Sequence, residues 1–229
     1  MRLRHGIMVL ALAGATSSAG LLSTAVTAQG ATATAEVTVV HGIPNTPVTV
    51  YADGKVLIKD FKFGTVVGPV KLAPGRYAIA VRAYGTSATS KAILATTVKV
   101  TGGENATIAA NLTATGKPEL TVLANPTAAP PMGDARVIVR HLAEAPGVDV
   151  YAGATSSPAL ISDLVNGKSA TANVVAGSYP ISVYATGTKT SPVIGPVTLH
   201  FAAGKTYVIY AIGSATASPA TITVAEQSY

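Results

Sequence analysis

The chain has 229 residues, of which 48% are hydrophobic, 5% aromatic and 11% charged, with no cysteine and a formal net charge of +6. Without cysteine there are no disulfides, thiolate metal sites, cysteine nucleophiles or lipid attachment through an N-terminal cysteine. Charge is far below the roughly 25% usual in soluble domains, so a surface of Thr, Ser and Asn rather than ion pairs is expected. The Lys and Arg residues are scattered and form no basic stripe, so no nucleic-acid partner is predicted.

In chain order, residues 1–28 read as a secretory signal peptide. Arg2, Arg4 and His5 form a positive start, Ile7 to Ala13 is apolar, and small residues follow, with cleavage expected after Ala28 or Ala35. Gly14, Thr16, Ser17, Ser18 and Gly20 interrupt the apolar run. It therefore falls short of the roughly 20 residues that span a bilayer, and no span is expected in the mature chain. A secreted, extracellular product is predicted. Loss of Arg2 and Arg4 takes its formal net charge from +6 to +4.

Residues 36–41 alternate, with Val37, Val39 and His41 on one side and Thr38 and Val40 on the other, the mark of a half-buried strand. A turn rich in Gly, Pro and Asn precedes Val48-Thr49-Val50-Tyr51, and Asp53-Gly54 has hairpin-turn chemistry. Further strands are predicted from Val56, over residues 66–72 with Pro69 placing it at an edge, and over residues 77–83, 93–101, 106–112 and 120–123. Residues 125–133 are proline-rich and predict an extended, semi-rigid spacer.

The pattern then restarts. His41, Tyr51, Asp60, Gly64, Gly75 and Tyr77 are answered by His141, Tyr151, Asp163, Gly167, Gly177 and Tyr179, at offsets of 100 to 103. Small shifts fall where loops differ. Many short strands with no helical period give the fold class: all-β, two tandem immunoglobulin-like antiparallel β-sandwich domains, residues 36–124 and 134–229, after a cleaved signal peptide.

The opening Val39-x-His41-x-x-Pro44-x-x-Pro47-x-x-Val50-Tyr51, the Asp53-Gly54 turn, Phe63-Gly64-Thr65 and Pro74-Gly75-Arg76-Tyr77 resemble the bacterial domain of unknown function 4397 family, in both halves of the chain. The resemblance implies secreted or surface-exposed β-sandwich modules, often in tandem, and no particular activity. Copy one departs from the family pattern, with Asn45 in the proline turn and Thr49 where copy two keeps Asp149.

His41 and His141 are the sharpest chemical candidates, since a His beside a carboxylate binds metal or acts as a base. Their phase with two valines at a strand end favours a structural role, bonding turn backbone at the rim of the core. Asp60 and Asp163 recur and are expected at turns or strand ends. Tyr51 and Tyr151 fall on the opposite phase from the flanking valines, which predicts exposed rings able to stack on sugars. No catalytic residue, metal site or cofactor is assigned, because no hydrolase elbow, zinc helix or phosphate loop is present.

The expected function is a non-enzymatic module pair binding an anionic cell envelope or an extracellular polysaccharide. The alternatives are a hydrolase with His141 and Asp149 in one open cleft, or a purely structural surface spacer.

Overall fold

In the computed structural model, residues 33–217 and 220–229 are described; the signal peptide expected over residues 1–28 lies outside them. Sixteen strands and no helix occur among the described residues. The first eight are β1 (Ala35–His41), β2 (Val48–Ala52), β3 (Lys55–Phe61), β4 (Val66–Leu72), β5 (Gly75–Ala83), β6 (Leu94–Val100), β7 (Asn105–Leu112) and β8 (Pro118–Ala124). The second eight are β9 (Asp134–His141), β10 (Val148–Ala152), β11 (Ile161–Leu164), β12 (Ser169–Val175), β13 (Gly177–Ala185), β14 (Ile194–Phe201), β15 (Thr206–Ile212) and β16 (Thr223–Ser228).

The duplication read from the sequence is repeated strand for strand. Sheets of order β4-β1-β7-β8 and β3-β2-β5-β6 form the first sandwich-like unit, and β12-β9-β15-β16 with β11-β10-β13-β14 form the second. Pro69 sits on β4, an edge strand as expected, in a bulge where Gly68 and Pro69 stand opposite Thr38 of β1. The sheets are not antiparallel throughout. β1 runs parallel to β7, and β9 runs parallel to β15. Alternation reports which residues share a face, and it is the same for either strand direction.

Each unit has its own core. Val37, Val39, Val48, Val50, Phe61, Ile79 and Val81 fill the first. Val137, Val139, Val148, Val150, Leu164, Ile181 and Phe201 fill the second. A third apolar cluster joins the two units, made of Val40 and Ala109 from the first and Ile138, Leu142, Val208, Tyr210 and Ile212 from the second. The central strands are therefore buried on both faces; every residue of β7 is buried.

This seam closes tightly. A side chain at Gly42 would meet Ile212 Cγ2 at 2.9 Å, and the Gly213 amide donates to the Gly42 carbonyl at 3.2 Å. Polar groups also cross it. The Thr107 and Tyr210 hydroxyls share a bond of 2.8 Å, and Asn166 Nδ2 donates to Leu112 O at 3.0 Å. Arg140 lies over the Tyr210 ring at 5.6 Å and donates through Nη2 to Ala124 O at 2.7 Å. Burial pulls the Arg140 guanidinium below its ordinary pKa and pushes the Tyr210 hydroxyl up.

The spacer expected at residues 125–133 does not hold the units apart. Asn125 and Pro130 are buried, and Asn125 Nδ2 donates to Asn105 Oδ1 at 2.7 Å. Polyproline character fixes local extension only; the apolar outer faces of β7 and β15 decide that the units close on each other. The described residues accordingly form one compact unit.

Candidate functional site

The two histidines are wholly interior. His41 is 0% and His141 1% exposed. His41 Nε2 lies 2.7 Å from Thr46 O, and His141 Nε2 lies 2.8 Å from Pro146 O. A carbonyl only accepts, so each Nε2 carries the proton and donates. Each ring thus pins the proline turn between its own strand and the next. Burial lowers the pKa of both below 6.5, partly offset by these bonds to backbone carbonyls. The copies differ at Nδ1. In His41 it accepts from the Ile43 amide at 3.3 Å, whereas in His141 it has no protein partner.

Asp60 and Asp163 recur for a backbone reason. Both hold positive φ, 50° and 49°, in the left-handed region that Asp tolerates better than most residues. Each sits in a bulge. Val48 and Val50 pair with Phe61 and Ile58, and Val148 and Val150 pair with Leu164 and Ile161. Three steps on one strand thus match two on the other. The bulge resets the alternation, so Ile58 and Phe61, three apart, both reach the core. The Asp60 carboxylate also pairs with exposed Lys62 at 3.6 Å, which contributes little to stability.

Asp149 lies between the core residues Val148 and Val150 and points away from the core. Its carboxylate accepts from the Asp163 amide at 2.8 Å and from the Gly187 amide at 3.3 Å. His141 is committed to the Pro146 turn. The two are not brought into one open cleft, and the hydrolase arrangement that would need them there is not formed. Among the described residues, no three of His, Cys, Asp and Glu gather as a metal site.

Tyr51 and Tyr151 correct an expectation. They do face away from the core, yet they are only 6% and 4% exposed. Arg82 lies over the Tyr51 ring at 5.5 Å. Lys189 Nζ lies over Tyr151 at 5.3 Å, and Tyr184 meets that ring edge-on at 5.7 Å. Long side chains on neighbouring strands and loops cover aromatic faces well, and strand phase carries no information about that cover. Neither ring is free to stack on a sugar.

One polar feature was not found in the sequence. A groove of about 200 Å³ runs along the seam and takes lining from both units. Glu36, Thr38 and Asn105 come from the first; Glu226, Gln227 and Ser228 come from the second. Pro69 and Tyr229 add apolar surface. Burial raises the Glu226 carboxyl pKa. None of these positions belongs to the repeated motif, and a site assembled by packing two copies leaves no periodic trace. One signal was available: the unbroken run Tyr207-Val208-Ile209-Tyr210-Ala211-Ile212 marks a strand buried on both faces, and hence a partner sheet.

Comparison with known proteins gives one family. The family described as Domain of unknown function (DUF4397) matches residues 35–151, which take in the first unit and the start of the second. Among solved structures, the Bacillus anthracis TIE protein is similar at 11% identity and a TM-score of 0.24, with 78% of this chain and 33% of that chain covered. The chain thus spans about a third of the length of that protein. No curated protein matches.

Proposed function

The chain belongs to the domain of unknown function 4397 family, and from that premise we propose that it is an exported, non-enzymatic binding module whose ligand is an extracellular polymer of the cell envelope. One observation carries this reading: the side chains that recur between copies are spent on architecture. His41 and His141 hold turns, Asp60 and Asp163 make bulges, and Tyr77 and Tyr179 donate to Ala73 O and Val175 O, each at 2.8 Å. Other polar side chains line the seam groove, where they are available to a ligand. Two further features support it. The N-terminal segment has the order of an export signal. The chain surface carries few charges, which suits hydroxyl-rich partners over ionic ones.

Co-sedimentation of purified mature protein with envelope fractions across a salt series tests the reading. Binding that persists at high salt and is competed by a soluble saccharide is the expected result, because exposed ion pairs are screened there and hydrogen bonds are not. No binding at any salt would remove the proposal.

A further inference from the structure

We infer that the seam groove is a saccharide-binding site that takes a single sugar residue of a neutral, hydroxyl-rich polymer between the two units. This inference rests on the binding role proposed above and gives that role a location.

Three polar groups on the groove wall make no bond to another described residue. Thr38 is 2% exposed and lines the groove, and its hydroxyl bonds to no other described residue. Asn105 is 8% exposed. Its Oδ1 accepts from Asn125, which turns its Nδ2 donor to a position with no protein partner. Gln227 repeats the arrangement from the other unit. Its Oε1 accepts from the Tyr210 hydroxyl at 2.8 Å, and its Nε2 is left over. None of the three groups is sealed from solvent, so each can exchange a water for a ligand's hydroxyl.

The chemistry of the set selects the ligand. Two amide donors with fixed orientation, two hydroxyls and the acceptor oxygens of Glu36 and Glu226 face one space. Adjacent hydroxyls of a sugar each donate and accept, and they match such a mixed set. A phosphate or carboxylate would meet the two glutamates unfavourably. The apolar surface of Pro69 and Tyr229 suits the C–H face of a pyranose ring. The volume, about 200 Å³, lies under the roughly 300–1,000 Å³ of sites for drug-sized ligands and is on the scale of one sugar ring. Both units supply lining, so the site exists only when the seam is closed.

The experiment uses the full mature chain, ¹⁵N-labelled, with a panel of neutral monosaccharides and their short oligomers as probes. The expected result is that at least one probe shifts the side-chain amide signals of Asn105 and Gln227. Thr38→Val is then expected to weaken that probe about tenfold without lowering Tm, since it removes a hydroxyl that no protein group uses. Glu226→Gln, on the groove wall, is expected to weaken it as well. Thr38→Val lowering Tm in step with affinity would show a structural role and overturn the inference. So would probe binding that neither substitution alters, and so would amide shifts given by calcium chloride but by no sugar. The broader role stands if envelope co-sedimentation persists while the groove variants bind like wild type; both readings fall if nothing binds.

Discussion

The two units share a strand order and differ in what covers their outer faces. In the first, Thr49 is buried beneath the outer surface and Arg82 lies over Tyr51, with its guanidinium donating to Ser90 O. In the second, Asp149 replaces Thr49, Tyr184 stands where Arg82 was, and Lys189 reaches across to Tyr151. The histidine–turn bond and the aspartate bulge did not change. Duplication has kept the parts that set backbone path and let the covering side chains drift. Motif repetition here therefore marks architecture, and function is to be sought among residues that do not repeat.

The largest test of this comparison removes a pinned turn. His41→Ala is expected to cost about 3 kcal/mol in urea unfolding, from the cavity left and the unpaired Thr46 carbonyl. His141→Ala should cost somewhat less, because its Nδ1 makes no bond to lose. Negligible losses would mean the rings are not the pins described, and equal losses would remove the difference at Nδ1. Next is the bulge. Asp60→Val is expected to cost about 1–2 kcal/mol, the penalty for a branched side chain in the left-handed region, whereas Asp60→Gly should stay near wild type. Matching losses for the two would place the role in the carboxylate instead.

Acid sharpens the contrast further. Each histidine has a native pKa lowered from 6.5 by burial. Above 6.5 both states are neutral at these rings and stability is full. As pH falls from there through the lowered native value, the unfolded chain takes up protons that the native state refuses, and stability drops. The slope is at most about 1.4 kcal/mol per pH unit for each ring. Protonating His41 also sets an N–H against the Ile43 amide, so His41→Gln should flatten the profile more than His141→Gln, as read by unfolding midpoints between pH 7.5 and 5. The smallest effect concerns the seam: Tyr210→Phe is expected to cost about 1 kcal/mol, leaving the Thr107 and Gln227 side chains to re-pair. A single unfolding transition should be kept in that variant.

Much of the fold was legible in the sequence. Alternation at residues 36–41, the Asp-Gly turn and the offsets near 100 placed the strands and the duplication. The role of the histidines at the turns was legible too, from their phase with the valines. Three things were not. Strand direction leaves no mark in alternation, so the parallel pairing of β1 with β7 was hidden. The face carrying Thr38 and Val40 could be read as a face, but not as one that meets the other unit. Tyr51 and Tyr151 were correctly set outside the core and wrongly set in solvent, because their cover comes from Arg82 and Lys189, which are distant in the chain. The groove combined all these gaps, since its walls are drawn from two copies.

The third apolar cluster changes what the duplication can become. Val40 and Ala109 on one side, and Ile138, Leu142, Val208 and Ile212 on the other, are buried only while their neighbour is present. A single half, cut free or moved beside an unrelated domain, would carry an adhesive wall of sheet into water. Each half thus works as the solvent shield of the other, and any rearrangement that parts them must supply a new cover for both walls.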